Sequence, residues 1–172
     1  MKRSAVTPTS QSTITLTDVD AGTWVDEFRM TAADGPELAG STDWSISKRT
    51  LRGGPSDGVD LVELDNGCLS MTIVPTRGMG IWHAQRGDVR LGWDSPVTRP
   101  VHPSLVNAVD RGGVGWLTGF NELVCRCGLA SHGAPGPDVL ANNEGTPVET
   151  PLTLHGRIAN IPAHFVELGV ST

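Results

Sequence analysis

The densest set of side chains able to move protons and hold oxygen atoms lies in Leu154-His155-Gly156-Arg157-Ile158-Ala159-Asn160-Ile161-Pro162-Ala163-His164. Read as a strand, this stretch puts His155 and Arg157 two residues apart and on one face. The guanidinium would hold a hydroxyl or anionic oxygen, while the imidazole gives or takes a proton near neutral pH. The plainer alternative is an exposed His and Arg on a solvated face. His132, in Ser131-His132-Gly133-Ala134-Pro135, sits in a Gly/Pro loop, where functional residues are over-represented.

Cys125-x-Cys127 could share one face of a strand and, with His132 and His155, make a four-ligand set. Structural zinc sites space their cysteines by about two to four residues and use more than one pair, so no metal is expected. Gly53-Gly54 and Gly112-Gly113 are turns and not phosphate loops, because neither leads into Lys-Ser/Thr or a helix.

The elements that must position these groups read as strands. Residues 44–51 alternate through Trp44 and Ile46 until Arg52-Gly53-Gly54-Pro55 breaks the pattern. Residues 59–64 form an apolar run stopped by Asp65-Asn66-Gly67, a hairpin signal in which both turn residues tolerate positive φ. Leu69, Met71 and Ile73 then alternate until Pro75. Residues 81–85 and 89–93 predict a second hairpin about Arg86-Gly87-Asp88. No stretch carries the helical spacing over three turns, and the best candidate, 117–123, is short and contains Gly119. The fold class expected is all-β, an antiparallel β-sandwich.

Residues 1–40 read as a Ser/Thr-rich tail and a weak edge strand, and 41–172 as the sandwich domain. The last residues, Val166-Glu167-Leu168-Gly169-Val170-Ser171-Thr172, look like a strand cut short, so the sandwich is expected to be incomplete. An incomplete sheet with open edges could also close by forming a homo-oligomer.

With 13 Lys plus Arg against 19 Asp plus Glu, the net charge of −6 leaves no positive field for nucleic acid or an anionic membrane. No apolar stretch reaches the ~18 residues of a membrane span. The 3 Cys make no disulfide framework, so the cytoplasm is the expected compartment and a small neutral or modestly charged molecule the expected partner.

Pro75-Thr76-Arg77-Gly78-Met79-Gly80-Ile81 and Leu91-Gly92-Trp93-Asp94-Ser95-Pro96 resemble the opening of an aldose 1-epimerase-like protein. So, in order, do Gly112-Gly113-Val114-Gly115-Trp116-Leu117-Thr118-Gly119-Phe120, Cys127-Gly128-Leu129 and His155-Gly156-Arg157-Ile158-Ala159-Asn160. The resemblance covers residues 53–163 and points to an uncharacterised bacterial branch of the galactose mutarotase-like superfamily, here its N-terminal part. It implies a large antiparallel supersandwich that binds a sugar or sugar phosphate on its concave face and needs no cofactor.

Two alignments to that superfamily remain open. One sets His155 against the His of a His-Gly-x-Ala-Arg motif, as the catalytic acid, with Arg157 close to the motif's Arg. The other sets Gly156-Arg157-Ile158-Ala159-Asn160 against Gly-Arg-x-Ala-Asn, which makes Arg157 and Asn160 substrate-binding and leaves His155 unmatched. Anomer interconversion needs a proton delivered to the ring oxygen while another leaves the anomeric hydroxyl. The family draws its base, a Glu, from the C-terminal half; Glu122, Glu144, Glu149 and Glu167 do not match it.

Arg77 would reach a substrate hydroxyl or, alternatively, pair with a nearby acid. Trp93 and Trp116 would stack on a pyranose or else be buried in the core. Sugar binding without turnover is the alternative function, since one scaffold can host both roles.

Overall fold

Alternation of apolar and polar residues decides most of the framework, seen in a computed structural model that describes residues 11–35 and 43–171. The strands are β1 (Gln11–Asp18), β2 (Thr23–Trp24), β3 (Phe28–Thr31), β4 (Ser45–Thr50), β5 (Asp60–Asp65) and β6 (Ser70–Val74). They continue as β7 (Gly80–Arg86), β8 (Val89–Leu91), β9 (Gly136–Ala141), β10 (Pro147–Leu152) and β11 (Phe165–Ser171). Strands β3 to β8 follow one another in a single six-stranded antiparallel meander. A three-stranded sheet has the order β11-β1-β2, and β9 pairs with β10 as a hairpin.

Two sheets meet face to face. Along β11, Val166, Leu168 and Val170 recur at every second residue and are buried together with Leu16 of β1. They pack against Trp44, Ile46 of β4 and Val62 of β5. Burying each Val or Leu side chain is worth roughly 1.5–3 kcal/mol, so this seam holds the sheets together. Leu61, next to Val62 in β5, points to the other face, where it packs with Val59, Val74, Leu51 and Trp82. The result is the expected all-β antiparallel sandwich.

Three expectations need correction. β1 is not an edge strand, because it lies between β11 and β2. Its Ile14 and Leu16 give it an apolar face, and its β-branched Thr residues suit a strand even though the segment looks polar. Residues 1–10 and 36–40 of the expected tail segment lie outside the described residues.

The Asn66-Gly67 connection is a four-residue loop, because Asp65 pairs with Ser70. Only Gly67 takes a positive φ, 81°. The Asn66 side chain instead accepts from the N–H groups of Cys68 (3.0 Å) and Leu69 (2.8 Å), holding the loop as an Asx turn. The second hairpin does have a two-residue Gly87-Asp88 turn, with Arg86 opposite Val89.

Lastly, His155 and Arg157 are not on a strand. β10 ends at Leu152, and the chain then turns through 153–157 into a 3-10 turn at Ile158–Asn160. The two side chains therefore share no strand face, and another geometry brings His155 to the site.

Candidate functional site

His155 owes its position to backbone that is held from several sides. Its φ is 56°, the left-handed region that side chains with a Cβ rarely adopt. The turn is clamped by the 128–133 loop: His155 N–H donates to Gly133 O (2.9 Å) and His155 O accepts from Gly128 N–H (2.9 Å). Thr153 Oγ1 donates to Gly156 O (3.2 Å) across the same turn. Non-glycine residues persist in such conformations where the surroundings over-determine them, and functional sites are rich in them.

The imidazole lines a cavity of ≈ 210 Å³ together with Trp116, Phe120, Leu154 and Asn160. Phe120 packs edge-on to Trp116, with ring centroids 4.4 Å apart, and Trp116 lies 6.5 Å from the His155 ring. His132 is exposed and its ring centroid stands 5.4 Å from that of His155. Two polar atoms of this wall, His155 Nδ1 and Trp116 Nε1, are buried without any hydrogen-bond partner. Orphaned polar atoms lose hydration without compensation, and a polar ligand or an ordered water in the cavity would satisfy them.

Asn160 is oriented from beneath. Arg77 sits in a 3-10 turn, Pro75–Arg77, closed by Gly78 in the left-handed region. Its guanidinium is fully buried and donates to Glu122 Oε1 (Nε, 2.5 Å), to Val101 O (3.1 Å) and to Asn160 Oδ1 (Nη1, 3.2 Å). Arg77 thus meets the nearby acid of the sequence-based alternative and reaches the cavity through Asn160. Gly119 makes this possible, since a Cβ there would stand 2.9 Å from Arg77 Nη1.

The remaining sequence candidates fall at the margins. Arg157 is exposed at the start of the 3-10 turn, and does not line the cavity. Trp93 donates from Nε1 to Glu122 O (3.1 Å), packs on Phe120 at 5.1 Å, and lines a second cavity in place of the His155 cavity.

Arg126, one of three arginines with Arg111 and Arg157 that suit an acidic or phosphorylated sugar, lines the His155 cavity. Two roles were not anticipated from sequence: Phe120 links Trp93 to Trp116, and Glu122 anchors Arg77. The readable signal was Asn121-Glu122, a polar pair inside the apolar run from Phe120 to Val124. That run is tied to β7 by Val124 N–H to Ile81 O (3.0 Å) and Leu123 N–H to Trp82 O (3.0 Å).

Cys125 and Cys127 line the same cavity. Burial, reinforced by Glu122 and Cys127, pushes the Cys125 thiol up to about 11. Among the described residues, no three His, Cys, Asp or Glu side chains gather closely enough to hold a metal ion.

Residues 56–172 match a family model described as a domain of unknown function (DUF4432). The chain belongs to that family. A crystal structure of a Klebsiella pneumoniae subsp. pneumoniae protein, provisionally assigned as an aldose 1-epimerase, is similar to this DUF4432 chain at a TM-score of 0.79 and 31% identity. The match covers 94% of this chain and 39% of that one, so the chain spans well under half of its relative's length. The DUF4432 sandwich is therefore aldose 1-epimerase-like in fold. No protein of curated function matches the chain. Among the described residues, no helix is long and apolar enough to cross a membrane.

Proposed function

We propose that this chain binds a sugar in the His155 cavity and takes part in opening the sugar's hemiacetal ring, as an aldose 1-epimerase does. The observation that carries the proposal is the pair of orphaned atoms, His155 Nδ1 and Trp116 Nε1, on the wall of one small cavity. Trp116 and Phe120 offer faces to the C–H side of a pyranose, while Asn160, held by Arg77, addresses its hydroxyls. His155 delivers a proton to the ring oxygen as the C1–O bond opens, and the anomeric hydroxyl gives up its proton to a base. Arg126, an exposed residue of the cavity lining whose Nη1 donates to Gly78 O (3.4 Å), would suit a phosphorylated or acidic sugar.

The similarity to the Klebsiella protein supports this chemistry, but the chain spans only 39% of that protein. None of the described residues lining the cavity is a carboxylate, and Glu122 is engaged by Arg77. The base is therefore assigned to a group outside this cavity lining. The same observation favours a second reading, in which the cavity binds a sugar without turning it over. A reducing compartment, the cytoplasm, fits the three free thiols of Cys68, Cys125 and Cys127.

The test is saturation-transfer NMR of the purified chain against free and phosphorylated aldoses, with anomer exchange followed in the same tubes. Binding with faster exchange establishes the isomerase reading. Binding with unchanged exchange leaves the non-catalytic one. A folded chain that binds no aldose rules out both.

A further inference from the structure

Trp93 lines a second cavity, of ≈ 290 Å³, close to the lower limit of small-molecule sites (about 300 Å³). Trp82 and Trp93 line it with Ser95, Thr98 and Asn121. Asn121 is 4% exposed, and both Nδ2 and Oδ1 of its amide are buried without a partner. A protein interior rarely strands a donor and an acceptor on one side chain, and here both belong to a residue of the cavity wall.

The wall is held in place independently of any ligand. Asn121 N–H donates to Glu122 Oε2 (3.0 Å), Ser95 Oγ to Phe120 O (2.8 Å), and Trp93 Nε1 to Glu122 O (3.1 Å). These bonds tie the 93–95 turn to the 120–122 segment. The charged residues of the lining, Arg90 and Asp94, pair with each other at 2.9 Å, so the cavity presents no net charge. A primary amide offering one donor and one acceptor side by side, next to two indoles, matches a vicinal diol on a ring with an apolar face.

We infer that this cavity is a subsite for a second, neutral sugar ring, held by the Asn121 amide through a vicinal diol. The inference rests on the sugar-binding reading of the His155 cavity. The two cavities adjoin through Phe120, which lines the first and packs against Trp93 of the second at 5.1 Å. A ligand occupying both is a di- or oligosaccharide, whose reducing-end ring lies at His155.

The test titrates the 15N-labelled chain with lactose and maltose, and with galactose and glucose. It reads the Asn121 side-chain amide and the Trp93 and Trp116 indole signals, assigned by loss in Asn121→Leu, Trp93→Phe and Trp116→Phe. The disaccharides are expected to shift the Asn121 and Trp93 signals along with that of Trp116. Asn121→Leu is expected to weaken disaccharide binding about tenfold more than monosaccharide binding.

Because Asn121 is buried, a second variant is needed. Thr98→Arg, at an exposed rim position, fills the cavity from outside and should produce the same selective loss. Disaccharides that shift Trp116 while Asn121 and Trp93 stay still would overturn the subsite and leave the first reading intact. Shifts at Asn121 and Trp93 alone would support the subsite and remove the His155 reading. No shift at either set overturns both.

Discussion

The guanidinium of Arg77 and the carboxylate of Glu122 form an ion pair closed off from water, with Nε 2.5 Å from Oε1 and side-chain exposures of 0% and 1%. Glu122 spends its other oxygen, Oε2, on the N–H of Asn121 (3.0 Å), while Arg77 spends Nη1 on Val101 O and Asn160 Oδ1. One buried pair thereby connects Asn121 of the second cavity to Asn160 of the first.

Removing one partner strands the other charge in a dry environment. Arg77→Met should cost about 3–5 kcal/mol, the usual consequence of breaking a buried pair, and thermal or urea unfolding would measure it. The double variant Arg77→Met/Glu122→Leu should recover much of that loss, because no uncompensated charge remains. A double variant no more stable than the single one would show that the pair acts chiefly through its other hydrogen bonds.

Gly78 joins the Arg77 turn to the 158–163 segment. Its N–H donates to Ile161 O (3.0 Å), its φ is 61°, and a Cβ would overlap the carbonyl oxygen of Ile158. Gly78→Ala should lower Tm and weaken sugar binding together, since the Ile158–Asn160 turn must move outward and take Asn160 from Arg77. Retained Tm with retained binding in the variant would contradict this coupling.

How much of this was legible in the sequence follows from the range of each interaction. The hairpins at 65–70 and 86–89 were readable because turn residues and alternation are local. β1 was misread because its place between β11 and β2 depends on a partner about 150 residues away, which Thr-rich composition does not announce. His155, Trp116, Asn160 and His132 stand out in the sequence, yet the reason it offers for His155, a strand face shared with Arg157, is not the one the fold uses. Their meeting depends on a left-handed turn clamped by the 128–133 loop, and no periodicity encodes that. Glu122 was noted only as failing to match a family base, since nothing local pairs it with Arg77, 45 positions earlier.

His83 should give the chain a specific acid sensitivity. Burial, helped by the positive charge of Arg90 and opposed by Glu63, lowers its affinity for a proton below the ordinary value of 6.5. The unfolded chain therefore binds the proton more readily. Stability from this group is present above pH 6.5 and is lost as pH falls from there through the lowered folded-state value. Unfolding measured across that window should show stability declining with acid, and His83→Gln should flatten the slope. An unchanged slope would assign the sensitivity to other groups.

The three thiols should differ in reactivity. Cys68 and Cys127 are exposed, whereas Cys125 is half-buried with its thiol pushed up to about 11, so almost none of it is thiolate at neutral pH. Iodoacetamide at pH 7.5, followed by peptide mass mapping, should label Cys68 and Cys127 well before Cys125. A ligand in the His155 cavity should slow Cys127 further, because Cys127 lines that cavity and Cys68 does not. Cys125 labelling first would overturn the burial argument.

His155 offers a way to separate chemistry from folding. Its φ of 56° makes most substitutions costly to the backbone, and Asn tolerates this region better than other residues with a Cβ. His155→Asn should keep Tm close to the wild-type value while removing the imidazole, and His155→Ala should lower Tm. If the imidazole delivers the proton, His155→Asn loses about 10²–10⁴-fold in anomer exchange with sugar binding reduced far less. If exchange is absent from the wild-type chain, the same variant instead tests the orphaned Nδ1. A selective loss of sugar affinity would then make His155 a binding group, and unchanged affinity would move the site elsewhere.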